Sequence, residues 1–343
     1  MSSMRSGING FGRIGRLVFR ALWGRENITI AHVNDCAGDP AAAAHLLQFD
    51  SCHGRWDQNV EVNANGFRVQ NQQVRFTSTG DLTDAVWKES GVEIMLECSG
   101  SVRDPERLNQ CFNGLNLKRI LVACPVHSTG IDSNVLNVVY GINHHLYDPN
   151  QHQLITAASC TTNCLAPLVH IVHTNFGIQH GSVTTLHNLT NTQLVVDGFH
   201  SDLRRARSCS QSLIPTTTGS AKAIGLIFPD LQGKLNGHAV RVPLLNASLT
   251  DAVFEVRTEV TAEVVNSAFE CAAKGELKGI LGYETRPLVS VDYVNDNRSA
   301  IVDGLSTMVV NERQLKVYAW YDNEWGYSAR MADLTCYVAS FEP

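Results

Sequence analysis

The chain has 343 residues, of which 44% are hydrophobic, and a formal net charge of −6. This length and composition are sufficient for about two domains with a large core, and they exclude a disordered chain. Because the net charge provides no cationic field, we expect neither nucleic acid nor an anionic membrane surface as a partner. Any phosphate binding must therefore be local.

The ten cysteines are spread through apolar segments such as LECSG and LVACPV, which is typical of free thiols in a reducing compartment. The first residues, MSSMRSGING, lack a basic and then apolar leader, and no apolar run approaches the roughly 18 residues of a membrane span. We therefore expect a cytoplasmic protein.

The first motif is a G-x-G-x-x-G pattern at Gly10, Gly12 and Gly15, between a short strand and an amphipathic helix. In a dinucleotide site these glycines permit a tight turn, a close approach of the backbone to a pyrophosphate, and close packing of helix on strand. The next predicted strand, ITIAHVND, ends about 20 residues later at Asn34 and Asp35, where a carboxylate can accept from ribose hydroxyls. An unrelated glycine turn followed by a surface aspartate is the alternative.

Two further apolar runs, VEIMLECSG and KRILVACPV, predict parallel strands that are covered on both faces. The first half is therefore predicted to be a doubly wound parallel sheet of the Rossmann type, with Ser99 and Gly100 at the edge where such sheets bind ligands. NAD is favoured over NADP, because Asp35 would repel a ribose 2′-phosphate. The remaining cofactor-binding candidates lie in the glycine motif and are Phe11, Arg13 and Ile14.

The stretch AASCTTNCLAP contains two cysteines, Cys160 and Cys164. A zinc site needs a second ligand pair at a defined spacing, and because none lies nearby we predict no metal. The next residues predict a helix that begins here, with Ser159 or Thr161 as the N-cap. The positive end of the helix dipole lowers a thiol pKa and would make Cys160 nucleophilic, whereas Cys164 would pack one turn inside the helix.

A nucleophilic thiol also needs a base, and His187 ends the strand-like run GSVTTLH. On the residues alone, a structural histidine is the alternative, since spacing cannot show that two distant side chains meet.

The second half alternates strand-like and helical segments, which predicts an α+β domain with a mostly antiparallel sheet. The predicted strands are GSVTTLH, HAVRVPLL, DAVFEVRTEV, LVSVDYV, TMVVNE and QLKVYAWY. The predicted helices are SAKAIGLIFPDL, TAEVVNSAFECAAKG and a final helix, GYSARMADLTCYVASF, that returns to the first domain. We thus predict an α/β protein with a cofactor domain of residues 1–159, joined by residues 324–343, and a catalytic domain of residues 160–323.

Eight motifs occur in an order that resembles phosphorylating glyceraldehyde-3-phosphate dehydrogenase over nearly the whole chain. These motifs are INGFGRIGR, VND, SCTTNC, DLRRAR, IPTTTGSAKAIG, GKLNG, RVP and YDNEWGYS. The resemblance implies that Cys160 forms a thiohemiacetal and then a thioester with glyceraldehyde 3-phosphate, while His187 takes up the proton. Inorganic phosphate then releases 1,3-bisphosphoglycerate. The resemblance also implies a homotetramer in which residues 197–212 lie between subunits.

Such an enzyme must hold two anions near its nucleophile, and hydroxyls, backbone N–H groups and arginines suit this task. The resemblance assigns Thr190 and Arg241 to the phosphate of the substrate. It assigns Asn323 to the carboxamide of nicotinamide, and Tyr327 to a position beside the ring. Its candidates for the inorganic-phosphate site are Ser159, Thr161, Arg205, Thr218 and Gly219.

Several positions depart from the common form of the family. Leu189 replaces a usual tyrosine, and Leu244 and Leu245 replace a Thr-Pro pair at the substrate end. Gly198 and Phe199 replace a proline-containing pair near the adenosine ribose of a neighbouring subunit, which bears on the choice between NAD and NADP.

Three alternatives follow from these observations. The motifs YGIN and DLRRARSCSQSLIP also resemble erythrose-4-phosphate dehydrogenase. That relative lacks the Thr-Gly pair of the phosphate loop and hydrolyses its thioester, whereas this chain has the pair as Thr218 and Gly219. Arsenate has nearly the shape and charge of phosphate, so a paralogue specialised for arsenate resistance would form 1-arseno-3-phosphoglycerate. An NAD-binding redox sensor is the non-enzymatic alternative, although a pure binder needs no pair of anion sites.

Overall fold

The computed structural model describes residues 3–80, 82, 86–112, 116–126 and 134–342. The chain divides into two compact units, one formed by Met1–Ala158 with Ser328–Pro343 and the other by Ser159–Tyr327. Over the residues described, no helix is both long and apolar enough to cross a bilayer.

The first unit contains a large sheet and a two-stranded one. Its strands are β1 (Met4–Asn9), β2 (Ile28–Asn34), β3 (Phe49–Asp50), β4 (Gly54–Arg55), β5 (Val60–Asn63), β6 (Gly66–Val69), β7 (Gln72–Thr77), β8 (Ile94–Glu97), β9 (Arg119–Val122), β10 (Val135–Asn137) and β11 (Leu154–Thr156). Its helices up to Ala158 are α1 (Arg13–Leu22), α2 (Pro40–Gln48), α3 (Val86–Glu89) and α4 (Pro105–Gln110), with a 3-10 turn at His144–Leu146.

The large sheet has the order β10-β11-β9-β8-β1-β2-β7-β6-β5. The strands from β10 to β7 are parallel, and β5 and β6 add an antiparallel edge. From the central β1 the chain runs outward through β2 and β7, and it then returns to β8 on the other side of β1. This reversal is the switch point at which doubly wound sheets bind ligands, and the predicted fold of the first half is confirmed.

The second unit contains an eight-stranded sheet and three helices. Its strands are β12 (Ile178–His187), β13 (Ile214–Thr217), β14 (Leu235–Arg241), β15 (Ser248–Val256), β16 (Leu281–Glu284), β17 (Ala300–Asp303), β18 (Met308–Val310) and β19 (Gln314–Tyr321). Its helices are α5 (Cys160–Phe176), α6 (Ser220–Ile227) and α7 (Ala262–Lys274), and α8 (Trp325–Ala339) begins within it.

The second sheet has the order β13-β14-β12-β15-β19-β17-β16, with β18 paired to β19. Only β12 with β14 and β16 with β17 pair in parallel in the part described, which confirms the predicted mostly antiparallel sheet. The strand predicted at LVSVDYV is wrong, because Ser290–Tyr293 is a 3-10 turn. Asp292 accepts from the backbone N–H of Val289 over 2.9 Å, which closes the turn and leaves the Val289 side chain exposed.

Candidate active site

The glycine motif lies between β1 and α1. Gly10 has a φ of +86°, and a Cβ there would lie 2.3 Å from the backbone of Ser99, so the turn requires glycine. A Cβ on Gly15 would lie 2.0 Å from the carbonyl oxygen of Gly10. Gly12, in contrast, has open space where a side chain would project, which leaves room for a ligand. Ser99 and Gly100 are exposed just beyond β8.

The start of α1 suits an anion. The helix has no capping side chain, and no acidic residue in its first turn offsets the positive end of its dipole. Asp35 is fixed beside it, because the backbone N–H groups of Phe11 and Ala37 donate to its two oxygens over 2.6 and 2.8 Å. The remaining lone pairs of this carboxylate suit ribose hydroxyls, and the loop therefore fits a dinucleotide.

The side chain of Asn34 is engaged inside the first unit. Its amide nitrogen donates to Asn9 and to the carbonyl of Thr79, and its oxygen accepts from Thr77 and from the backbone N–H of Thr79. Because these bonds use its donors and acceptors, the side chain braces β1, β2 and β7 at their carboxyl ends.

The other candidates in the glycine motif have different surroundings. Phe11 is buried among the rings of Phe19 and Phe67. Arg13 forms a 2.5 Å ion pair with Asp50. Ile14 is half-buried on α1.

Cys160 is the first residue of α5. Ser159 is the N-cap, since its Oγ accepts from the backbone N–H of Thr162 over 3.1 Å. Ala158 before it has a φ of +52°, which is uncommon for a residue with a Cβ and turns the chain sharply into the helix. Cys164 is fully buried one turn later, and burial raises the pKa of its thiol to about 12.

The structure brings the two predicted catalytic side chains together. Cys160 Sγ lies 3.6 Å from Nε2 of His187, the last residue of β12. His187 is 5% exposed, and burial together with the guanidinium of Arg241 lowers its pKa to about 3. The imidazole is therefore neutral at neutral pH and can accept a proton from the thiol.

The backbone at the helix N-terminus lowers the pKa of Cys160 as predicted, but the net pKa is raised above its ordinary value. Burial of the sulfur raises this pKa, although Arg241 and hydrogen bonding with Thr161 act in the opposite direction. Removal of water disfavours the charged form more than the helix N-terminus favours it. The 3.6 Å contact places His187 Nε2 where it could take the proton from the Cys160 thiol.

The second imidazole nitrogen, His187 Nδ1, has two neighbours. It lies 2.9 Å from the carbonyl oxygen of Asn188 and 2.6 Å from Nη1 of Arg241. The carbonyl can only accept a proton from Nδ1, whereas the guanidinium can only donate to it. The position of Arg241 therefore influences which nitrogen carries the proton, and whether Nε2 faces Cys160 as a donor or an acceptor.

Arg241 is a half-buried cation at the end of β14. Its Nε is buried without a partner within the residues described, and burial lowers its pKa. The charged or polar groups that act on this pKa, among the described residues, are Cys160, Tyr321 and Arg205, and none is a carboxylate. A guanidinium in such surroundings suits an anionic ligand.

Hydroxyls gather at the N-termini of α5 and α6. Ser220 Oγ, at the first residue of α6, lies 3.4 Å from Ser159 Oγ and accepts from Thr218 Oγ1 over 3.1 Å. Gly219 is the N-cap of α6, and neither helix has an acidic residue in its first turn. Three predicted phosphate-site residues, Ser159, Thr218 and Gly219, thus meet where two helix dipoles favour an anion.

Thr161 and Arg205 make other contacts. Thr161 Oγ1 lies 3.0 Å from the hydroxyl of Tyr321. Arg205 Nη1 donates to Thr192 Oγ1 over 2.8 Å, and that oxygen lies 3.0 Å from Thr190 Oγ1. Arg205 is therefore connected to Thr190, the residue predicted for the substrate phosphate.

Asn323 and Tyr327 are each 5% exposed near the start of α8. Asn323 Oδ1 accepts from Ser248 Oγ over 2.9 Å. The side-chain amide is therefore held by the first residue of β15.

The sequence reasoning missed Asn188, Ser220, Ser248 and Tyr321. Ser220 had a signal, since a hydroxyl residue follows the glycine at the start of a helix. Asn188 and Ser248 had no such signal in the sequence, because their contact depends on the antiparallel pairing of β12 with β15.

The ten cysteines are free thiols. Over the described ranges, no group of three or more histidine, cysteine, aspartate or glutamate residues could hold a metal ion. The groups that the structure brings together are thus a thiol, an imidazole, guanidinium groups and hydroxyls.

Two family models match the chain. The model described as glyceraldehyde 3-phosphate dehydrogenase, NAD binding domain, matches residues 4–105. The model described as glyceraldehyde 3-phosphate dehydrogenase, C-terminal domain, matches residues 159–323. The first match confirms the prediction of NAD as the cofactor.

Similar proteins match over almost their whole length. Glyceraldehyde-3-phosphate dehydrogenase 3 of Nostoc sp. is 53% identical over 337 residues, which is 98% of each chain. Glyceraldehyde-3-phosphate dehydrogenase of Geobacillus stearothermophilus is 46% identical over 338 residues, 98% of this chain and 99% of the other. Glyceraldehyde-3-phosphate dehydrogenase 1 of Bacillus subtilis is 44% identical over 337 residues, 98% of each. The chain therefore belongs to the glyceraldehyde-3-phosphate dehydrogenase family.

Proposed function

We propose that this protein oxidises glyceraldehyde 3-phosphate to 1,3-bisphosphoglycerate, with NAD and inorganic phosphate, through a thiohemiacetal and a thioester on Cys160. The observation that carries the proposal is the 3.6 Å contact between Cys160 Sγ and His187 Nε2 at the start of α5. The family supplies the substrate. The two groups of anion-binding side chains suit a phosphorylated aldehyde and a second oxyanion.

Thiohemiacetal formation begins with proton transfer from Cys160 to His187 Nε2. The thiolate sulfur then adds to the aldehyde carbon, so a C–S bond forms while the carbonyl oxygen becomes an alkoxide and takes the proton back. The N-terminus of α5 stabilises the charge on sulfur before the attack.

Thioester formation uses the same base. The glycine motif and Asp35 would hold NAD, which would supply the acceptor for the hydride of the thiohemiacetal carbon. His187 Nε2 takes up the hydroxyl proton, and the carbonyl of Asn188 stabilises the imidazolium by accepting from Nδ1 over 2.9 Å.

Phosphorolysis completes the reaction. We assign inorganic phosphate to Ser159, Thr218, Gly219 and Ser220, with Thr161 and Arg205 as further candidates. A phosphate oxygen attacks the thioester carbon, the C–S bond breaks, and the acyl phosphate leaves. The thiolate then regains a proton from the imidazolium.

We assign the phosphate of the substrate to Arg241 and Thr190. The assignment is supported by the half-buried guanidinium that lacks a carboxylate among the groups acting on it, and by the contact of Thr190 with Thr192, to which Arg205 donates. An anion that engages Arg241 would draw its guanidinium away from His187 Nδ1. Nδ1 could then carry the proton and donate to the carbonyl of Asn188, and Nε2 would be the unprotonated acceptor that the reaction needs.

We also assign NAD binding to residues 1–159 with 324–343, and the chemistry to residues 160–323. Asn323, the last residue of the second domain, and Tyr327 are assigned to nicotinamide by family resemblance. The match of the NAD-binding model and the two compact units support this division. A cytoplasmic location is supported by the free cysteines.

A homotetramer is supported by the loop that contains residues 197–212. Val195 and Val196, just before these residues, and Phe199 and Leu203 within them are between 71% and 109% exposed. Asp197 holds the loop in shape by accepting from Arg207 and from the backbone of Ser208. Such an apolar surface on a braced loop is suited to a second subunit.

The test is the rate of NADH formation with glyceraldehyde 3-phosphate or erythrose 4-phosphate, each with phosphate, arsenate or neither. We expect the highest kcat/KM with glyceraldehyde 3-phosphate and phosphate. Turnover without an oxyanion would support hydrolysis, a strong preference for arsenate would support the resistance enzyme, and NAD binding without turnover would support a sensor. Each of these three results would contradict the proposal.

A further inference from the structure

We propose that Ser248 is a positioning residue whose single hydroxyl group orients the side-chain amide of Asn323 and braces the residue that orients the base, His187. This inference rests on the proposed function, because it concerns the amide assigned to nicotinamide and the histidine assigned as base. The hydrogen bonds that carry it lie entirely within the second unit.

Ser248 begins β15 and is 1% exposed. The backbone N–H of Asn188 donates to Ser248 Oγ over 3.2 Å, and Ser248 Oγ lies 2.9 Å from Asn323 Oδ1. Asn188 and Asn323 are also buried. These three buried residues therefore depend on one another for their hydrogen bonds, since water is excluded.

The chemistry of the groups fixes the direction of these bonds. A backbone N–H can only donate, so Ser248 Oγ is an acceptor towards Asn188. The atom of Asn323 that it faces is Oδ1, which can only accept, so the hydroxyl hydrogen of Ser248 is directed to this oxygen. The Asn323 oxygen therefore points to Ser248, and the NH2 group points away from it as a donor. This orientation suits the carbonyl oxygen of a carboxamide.

The same hydroxyl supports the base through Asn188. The carbonyl oxygen of Asn188 lies 2.9 Å from His187 Nδ1 and accepts from it in the tautomer that leaves Nε2 as the base, while the Asn188 side chain donates to the carbonyl of Leu245 over 2.7 Å. Ser248 holds the backbone N–H of the same residue. Asn188 is thus fixed at three points, and its carbonyl can hold the imidazole ring at a set angle.

A third contact runs through Tyr321. Tyr321 is the register partner of Ser248 in the pairing of β15 with β19, and its buried hydroxyl lies 3.0 Å from Thr161 Oγ1, on the residue that follows Cys160. The strand pairing therefore places Ser248 beside a residue that contacts the first turn of α5.

The experiment uses Ser248→Ala and the conservative Ser248→Thr in the full-length protein. Ser299→Ala is the matched control, because Ser299 is 4% exposed and its Oγ has no partner within the described part of the chain. The first readout is the Kd for NAD by calorimetry. The second is the rate of Cys160 alkylation by iodoacetamide as a function of pH without NAD, followed on the Cys160 peptide by mass spectrometry.

We expect Ser248→Ala to raise the Kd for NAD by about tenfold, the effect of one lost hydrogen bond of ordinary strength. It should also displace the pH profile of Cys160 alkylation, because the imidazole loses its fixed orientation. Ser248→Thr keeps the hydroxyl and should restore both properties, and Ser299→Ala should change neither.

A double-mutant cycle separates positioning from general damage. If Ser248 acts on NAD through Asn323, Ser248→Ala should have less than about a twofold effect on the Kd in an Asn323→Ala background. An equal loss in both backgrounds, or unchanged NAD affinity and alkylation in Ser248→Ala, would overturn the proposal.

If Ser248→Ala fails to fold, Asn323→Asp tests the amide orientation without changing Ser248. The carboxylate still accepts from Ser248 but offers no donor, so NAD affinity should fall at least as far as in Asn323→Ala. Unchanged affinity would overturn the proposal. A wild-type protein that does not bind NAD would instead contradict the proposed function.

Discussion

His187 faces Cys160 with one nitrogen and Arg241 with the other, at 3.6 Å from the sulfur and 2.6 Å from the guanidinium. The imidazole therefore links the nucleophile to a group suited to the substrate phosphate. Changes at Cys160 and at Arg241 should for this reason have distinguishable effects.

Replacement of the two cysteines of α5 should separate chemistry from packing. Cys160→Ser should lower kcat by at least about a thousandfold and leave NAD binding intact, because a hydroxyl is a much weaker nucleophile than a thiol at this position. Cys164→Ser should largely retain activity. Steady-state kinetics and NAD titration test this, and equal loss of activity in both variants would contradict the assignment of Cys160.

Arg241→Ala should lower kcat/KM for glyceraldehyde 3-phosphate by about a hundredfold, since a charge-assisted bond to the phosphate is lost. The effect on glyceraldehyde, which has no phosphate, should be much smaller. Arg313→Ala is the matched control, because Arg313 lies exposed in an ion pair with Glu259. A similar loss for both aldehydes would remove Arg241 from the substrate-phosphate site.

Ser220→Ala should act on the second anion. Loss of its hydroxyl next to Ser159 and Thr218 should raise the KM for inorganic phosphate by about tenfold, because one hydrogen bond of ordinary strength is lost. The KM for glyceraldehyde 3-phosphate should be unchanged. Initial rates over a range of phosphate concentrations measure this, and a shift confined to the aldehyde would place Ser220 with the other anion.

The stability of the first unit should depend on pH through His32. This residue is fully buried, its nitrogens contact Thr77 and Ser90, and burial, with the charge of Arg75, lowers its pKa to about 4. The unfolded chain, with a pKa of about 6.5, binds a proton that the folded chain does not. The contribution of His32 is therefore complete above about pH 6.5 and is lost as the pH falls towards 4.

Urea unfolding of the wild type and of His32→Gln at several pH values between 7 and 5 tests this contribution. The wild-type free energy of unfolding should fall more steeply with acid, by up to about 1.4 kcal/mol per pH unit. His32→Gln should be less stable at pH 7 but have the smaller slope. Equal slopes would show that His32 keeps an ordinary pKa in the folded protein.

Phe199→Asp should weaken subunit association. The side chain is fully exposed on the braced loop, and a charge there would have to be desolvated in an interface. Light scattering after gel filtration should show a smaller species, whereas Val62→Asp, at a residue that is 52% exposed in the first unit, should leave the mass unchanged. An unchanged mass for Phe199→Asp would exclude this loop from the interface.

Local patterns predicted much of the fold. The strand predicted at QLKVYAWY is β19 at Gln314–Tyr321, because alternation of buried and exposed residues is a local property. The start of α5 was also predicted, since the capping hydroxyl of Ser159 adjoins the helix in sequence. The strand predicted at LVSVDYV was wrong, because Asp292 closes a turn that the alternation of apolar residues does not reveal.

The geometry of the site was less accessible from sequence. Whether His187 meets Cys160 depends on the packing of α5 and β12, and the contact of Ser248 with Asn188 depends on the register of two strands 60 residues apart. The direction of the Cys160 pKa shift was mispredicted for a related reason. Helix position is readable from sequence, but burial of the sulfur is a product of the folded chain.

The most direct test is a single-turnover reaction with glyceraldehyde 3-phosphate and NAD in the absence of any oxyanion. We predict a burst of one NADH per active subunit, with the acyl group found on the Cys160 peptide by mass spectrometry after acid quench and removed when phosphate is added. Acylation of another residue, or steady NADH formation without a burst and without acylated Cys160, would contradict the central role of this thiol.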